Sequence, residues 1–170
     1  MNAMTAHVRI APWADGDLDL LRRKNEPEMT KYLGGPESEE KLLARHERYL
    51  NLSGPGVGQM FSVALLPEGE KVGSVGYWEK VWQDEWVYET GWGVLPEYQG
   101  RGIAAAAAIS LVETLRPVRK HQWLHAFPSV EHLASNAICR KAGFSFVAEC
   151  EFEYPKGTVK PSNDWRFDLG

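Results

Sequence analysis

Val94-Leu95-Pro96-Glu97-Tyr98-Gln99-Gly100-Arg101-Gly102-Ile103-Ala104 decides the fold. A β-type run closes on a proline turn, and a glycine-rich loop opens directly into a helix. Such a corner binds anions: glycine lets a ligand approach the backbone, while the unpaired amides and dipole of the first helical turn favour negative charge, so a pyrophosphate fits. The loop is neither common nucleotide signature. Pro96 stands where Gly91-x-Gly93 would need its third glycine, and no Gly-x-x-x-x-Gly-Lys-Ser/Thr occurs in the chain.

Downstream, Arg101 to Arg116 reads as an alanine-rich helix stopped by Pro117. Gln122 to Phe127 reads as a strand, His132 to Ala142 as a helix closed by Gly143, and Phe144 to Glu153 and Trp165 to Leu169 as closing strands. Upstream, Val8 to Ala11 is a short strand. Asp15 can cap a helix carrying Leu18, Leu20 and Leu21, and Ser38 starts another through Leu42, His46 and Leu50. Met60 to Leu66 and Val72 to Val81 form a hairpin, and the Gln83-Asp84-Glu85 break forms a second one with Trp86 to Leu95. Trp78, Trp82 and Trp86 are then cross-strand and surface-packing residues, with an aromatic substrate pocket as the alternative. Gly91 and Gly93 mark a bulge, or a place where a backbone or ligand comes close. Together these elements call for an α/β (α+β) domain: a mixed, mostly antiparallel central sheet of about seven strands with helices on both faces.

The chain has 170 residues, 44% of them hydrophobic and 25% charged, which suits a single domain over residues 1–170. Met1-Asn2-Ala3 ahead of Met4 reads as a cloning remnant or disordered tail and is left out of the fold argument. Nineteen basic and twenty-three acidic residues give a net charge of −4, and the Arg116-Pro117-Val118-Arg119-Lys120 cluster is short, so no nucleic-acid partner is expected. With no long apolar run and no secretory leader, no membrane association is expected either, and a cytoplasmic location is. Cys139 and Cys150 fit reduced thiols. His121 and His125, four apart on a strand, lie about 13 Å from each other, too far to share a metal. No metal is expected. Asp17, Asp19, Glu39 and Glu40 read as solvated helix-start charges.

Gln99-Gly100-Arg101-Gly102-Ile103-Ala104 satisfies every fixed position of Gln/Arg-x-x-Gly-x-Gly/Ala, and Ala134 to Phe144 ends in lysine-x-glycine-phenylalanine. On these two motifs the chain resembles the GNAT superfamily of acyl-CoA-dependent N-acetyltransferases, especially the branch that acetylates ribosomal-protein N-termini. The resemblance implies that the amides of Gln99, Gly100, Arg101, Gly102, Ile103 and Ala104 cradle the pyrophosphate of acetyl-CoA. It implies that the pantetheine arm bonds to Val94 along a splayed strand edge, and that Ser135 touches the cofactor from the later helix. His132 stands where the family usually has asparagine, and its imidazole can also donate to the cofactor.

An ammonium has no lone pair, so direct transfer to an amine needs a base. By resemblance Glu89 holds that position, with burial beside Trp86, Tyr88 and Trp92 expected to raise its pKa. The alternative is a carboxylate satisfied by sheet-edge amides or a cation. An amide near Val94 is the expected donor to the developing oxyanion. Cys139 occupies the position where relatives often keep a tyrosine that protonates the leaving thiolate; the alternatives are a core thiol and unassisted departure. The implied activity is acetyl transfer to a primary amine, either a peptide N-terminus or a small amine, in a ternary complex. A non-catalytic acyl-CoA sensor is the rival. The acceptor groove is expected between residues 20–52 and the Trp78 to Trp86 hairpin, where acidic and tryptophan content suits a cationic amine. Exposed aromatic strands point to a homodimer.

Overall fold

The computed structural model describes residues 7–170; the tail at residues 1–4 lies outside them. One sheet of seven strands runs in the order β1-β2-β3-β4-β5-β7-β6. Its strands are β1 (Val8–Pro12), β2 (Gly58–Leu65), β3 (Glu70–Trp82), β4 (Glu85–Val94), β5 (Trp123–Ala126), β6 (Ser145–Glu153) and β7 (Val159–Asp168). Helices α1 (Leu18–Arg23), α2 (Pro27–Thr30) and α3 (Glu39–Leu50) fall between β1 and β2. Helix α4 (Ile103–Leu115) joins β4 to β5, and α5 (Leu133–Lys141) joins β5 to β6. Every pairing is antiparallel except β4 with β5.

Alternation along the strands builds two cores. Val75, Tyr77, Tyr88 and Val94 pack against Ala107, Leu111 and Leu115 of α4 and Cys139 of α5. On the opposite face Met60 and Leu95 meet Leu20, Leu21 and Leu42 of α1 and α3, together with Trp13. The expected second hairpin forms across Gln83 and Asp84, both in the left-handed region that a tight two-residue turn demands. Ser38 caps α3 by accepting from the Lys41 N–H at 3.2 Å.

Three expectations are corrected. Asp17 is no solvated charge: it is fully buried, accepts from the Ala14 N–H at 2.9 Å and pairs with Lys71 of β3. A three-residue 3-10 turn, Asp15–Asp17, precedes α1, so Asp17 rather than Asp15 ties down the helix start. The closing strand begins at Val159 and runs through Pro161, because the proline's carbonyl side faces Val130 beyond the end of β5, where no ladder bond is lost.

The third correction concerns the splay. β4 shows no bulge at Gly91 or Gly93, since its register with β3 is unbroken from Gly73↔Val94 to Trp82↔Glu85. The opening lies on the other edge, where pairing with β5 ends at Glu89↔His125. Two and three residues beyond His125 stand Phe127 and Pro128. Past Ala126 the chain stays with β7 instead, the Pro128 carbonyl accepting from the Asn163 N–H at 2.9 Å, so β5 leaves β4, which continues alone to Val94.

Replacing Asp17 by alanine strands the Ala14 N–H and the Lys71 ammonium, and is expected to lower stability by about 2 kcal/mol. Asp17→Asn keeps an acceptor for Ala14 and should lose less; urea unfolding of the two variants checks the order.

Candidate active site

The unpaired stretch of β4 leads into the glycine loop. The Leu95 N–H donates to Val72 of β3 at 2.8 Å, so strand alternation turns the N–H and C=O of Val94 toward the gap. There the Val94 carbonyl accepts from the Gln99 side chain at 2.9 Å. A 3-10 turn, Pro96–Tyr98, then reverses the chain. Gly100 and Gly102 adopt φ of +80° and +78°, values open to glycine at little cost, and Gly102 is the N-cap of α4.

Of the six amides expected to converge here, that of Gln99 is spent on the Pro96 carbonyl at 3.2 Å. Those of Gly100 to Ala104 have no partner among the described residues, because the first intrahelical bond runs from Ala106 to Gly102. Ile103 and Ala104 are buried and anchor the helix start, whereas the Arg101 side chain lies outside over Tyr98. Five free amides at a helix N-terminus, next to an open strand edge, fit a pyrophosphate with an extended arm.

At the start of α5, His132 caps its own helix: its Nδ1 accepts from the Ser135 N–H at 3.4 Å, and Tyr32 stacks on the ring at 4.2 Å. Burial and the nearby Lys31 lower its pKa, so Nε2 carries the proton of a neutral imidazole. Asn136, one residue on, holds the later half together by donating to Ser129 and His132 and accepting from Asn163 and Trp165.

Glu89 sits at the last paired position before the gap. Trp86, Tyr88 and Trp92 are not its neighbours, because even-numbered residues of β4 face the other side of the sheet. The Trp78 indole donates to Glu89 Oε1 at 3.1 Å, Lys80 Nζ lies 3.8 Å away, and His125 is its register partner on β5. Burial raises the Glu89 pKa, while Lys80, the Trp78 hydrogen bond and His125 act against that rise. His125 is itself held by buried Asp164 at 2.6 Å, and Trp82 donates to the same carboxylate at 3.1 Å. His121 pairs with Glu79 instead, and no group of three His, Cys, Asp or Glu among the described residues could hold a metal ion.

Cys139 is a core side chain. It has no exposed surface, and desolvation pushes its thiol up to about 12. Passing a proton from there to a departing thiolate of ordinary pKa, about 8.5, would run steeply uphill, so the expected acid role gives way to packing.

Sequence reasoning missed Lys24. At the C-cap of α1 it reads as one more solvated cation, yet its side chain turns inward and hydrogen-bonds the Ser74 hydroxyl of β3. Its Nζ stands 3.0 Å from where a Cβ on Gly93 would be, so Gly93 is a place of close approach rather than a bulge. Burial, then repulsion from Arg45, brings the Lys24 ammonium down to about 8. Lys24 also lines a cleft of about 480 Å³ between α1, α3 and the turn from β6 to β7. The cleft shares one wall with the expected groove, residues 21–48, while its other wall is Tyr154 to Lys156 rather than the tryptophan hairpin.

An open sheet with a free anion cradle at one strand end defines a coenzyme-dependent acyl-group transferase more narrowly than its architecture alone. A family model described as an acetyltransferase (GNAT) domain matches residues 7–145, and the chain belongs to that family. It is an acetyl-CoA-dependent acyltransferase. Among solved structures the chain is similar to a GNAT-family acetyltransferase from Bacillus anthracis, at 20% identity and a TM-score of 0.78 over 97% of both chains. It is also similar to a ribosomal L7/L12 α-N-protein acetyltransferase in complex with coenzyme A, at 17% identity and 0.79 over 97% of this chain and 96% of the other. A spermidine N-acetyltransferase from Vibrio cholerae, in complex with CoA and spermine, superposes at 15% identity and 0.76 over 95% of both chains. No curated protein sequence matches the chain.

Gly100→Ala has space for its methyl but a strained φ, costing about 1 kcal/mol in the loop conformation that presents the amides. Calorimetry with coenzyme A should show affinity falling roughly fivefold.

Proposed function

We propose that the chain acetylates a primary amine by direct attack in a ternary complex, with Glu89 as the proton acceptor. The observation that carries this reading is the position of Glu89: mostly buried, with a raised pKa, at the point where β4 leaves β5 and its edge opens. A carboxylate whose pKa is raised by burial holds a proton better than an exposed one, which suits it to take one from an ammonium. Acetyl-CoA, when bound, supplies the thioester carbonyl that the amine nitrogen attacks and the thiolate that leaves with the nitrogen's second proton. The amides of Gly100 to Ala104 hold the pyrophosphate, the open edge at Val94 aligns the arm, and the Ser135 hydroxyl and His132 Nε2–H face it from α5. The Val94 N–H, turned toward the gap, donates to the carbonyl oxygen as charge develops there. Glu89 takes the first proton, directly or through water, and returns it to solvent. Lys80 and Trp78 keep Glu89 from staying protonated. The two unbridged cysteines favour a reducing cytoplasmic setting.

Glu89→Gln should cut kcat by about a hundredfold or more and abolish the acidic limb of the pH–rate profile, followed by thiol release. Glu89 works deprotonated, so activity is lost as pH falls through its raised pKa. Lys80→Met removes the cation that opposes that rise, and the same limb should move to higher pH.

A further inference from the structure

We infer that the acceptor is a small amine that also carries an anionic group, a carboxylate or a phosphate, gripped by the cations lining the cleft between α1, α3 and the β6–β7 turn. The inference rests on the acetyl-transfer reading above and specifies its second substrate. Lys24, Lys41, Arg45, Arg48 and Lys156 line this cleft against a single acid, Glu37. That acid is already taken: Arg45 grips both its oxygens, at 2.7 and 2.8 Å, and holds its pKa below the usual carboxylate range. Among the described residues no carboxylate lies within ion-pair distance of Lys24, Lys41, Arg48 or Lys156. Four unneutralised cations therefore converge in a protein whose net charge is −4.

Their arrangement is graded. Lys41, Arg48 and Lys156 are exposed at the rim, while Lys24 reaches the floor with only the Ser74 hydroxyl for a partner. A buried ammonium repelled by a neighbouring guanidinium costs free energy, which a bound anion would recover in charge-assisted hydrogen bonds. A polycationic acceptor would add to the repulsion. This reverses the cationic preference suggested by the acidic and tryptophan-rich sequence.

Position links the cleft to the chemistry. Lys24 sits over Gly93, one residue from Val94, on the face of β4 that also carries Glu89. An anion held at Lys24 brings an amine a few bonds away toward Gly91 and the Trp78 indole that covers it, in the direction of the base. The volume suits a metabolite-sized molecule rather than a folded surface.

The test compares matched acceptors at saturating acetyl-CoA by thiol release: phosphoethanolamine with ethanolamine, β-alanine with its amide, spermidine, and a peptide with an acidic N-terminal segment. The expected result is a kcat/KM at least about tenfold higher for the anionic member of each pair, an advantage that shrinks with added salt. In Lys24→Gln the anionic-to-neutral ratio should fall toward one. Arg48→Gln and Lys156→Gln, both at exposed positions, should lower it more modestly and serve if the first variant does not fold. Neutral or cationic amines used as well as the anionic ones, a ratio unchanged in all three variants, or the peptide as preferred acceptor each overturns the inference and leaves acetyl transfer standing. If no amine is turned over, the transfer reading fails, and calorimetry of phosphoethanolamine with the CoA-bound protein decides the cleft separately. Binding weakened at least about tenfold by Lys24→Gln supports the anion site, and no binding overturns it.

Discussion

Everything in this site follows from one hydrogen-bond ladder that ends early. β5 pairs with β4 at Tyr88 and Glu89, and beyond Ala126 its chain follows β7, where the Pro128 carbonyl accepts from the Asn163 N–H. Buried backbone groups must find partners, so the free edge of β4 from Thr90 to Val94 is a standing demand for an extended ligand. The Gln99 side chain meets part of that demand at the Val94 carbonyl. The glycine loop then fixes where such a ligand ends, because left-handed turns at Gly100 and Gly102 are what bring successive amides to one point. The strand edge sets a direction and the loop sets a stop, a geometry that suits a molecule with a peptide-like arm and a diphosphate.

The same sheet separates packing from chemistry by parity. Even residues of β4, Tyr88 and Val94 among them, enter the core under α4, and odd residues, Glu89, Gly91 and Gly93, face α1 and α3. The odd face is where charge collects. Glu89 meets Lys80 and Trp78, His125 meets Asp164, and Lys24 meets Ser74. Glycines at 91 and 93 keep that face free of side chains, and Trp78 and Lys24 lean over the space they leave.

How much of this was legible in the sequence depended on the range of the interaction. The glycine turn into α4, the late helix with its glycine stop and the two hairpins are local patterns, set by turn chemistry and side-chain period, and the structure contains them. The glycines of β4 suggest a splay, but its cause is that the chain after β5 stays with β7 and leaves β4, a long-range pairing that no local pattern shows. Asp17 and Lys24 look like surface charges in a string of charges; their burial comes from β3 arriving across α1. Cys139 had two readings that differ only in which way a helix face turns, and the packing of α5 on the sheet settles it as core. Glu89 was found, but with the wrong neighbours, because its environment was taken from adjacent residues when a strand places adjacent residues on opposite faces.

Two lysines flank the odd face of β4, and distance assigns them different work. Lys80 lies 3.8 Å from the Glu89 carboxylate, where its charge acts directly on the proton affinity of that group. Lys24 sits over Gly93, four residues along the strand from Glu89, which is about 13 Å of backbone. Coulomb energy falls as the inverse of distance, so Lys80, and not Lys24, is the cation that acts against the rise of the Glu89 pKa. A desolvated ammonium that pairs with no carboxylate keeps its electrostatic energy for what enters the cleft, and the Trp78-covered strand between it and Glu89 spans the length of a small molecule with an anion at one end and an amine at the other.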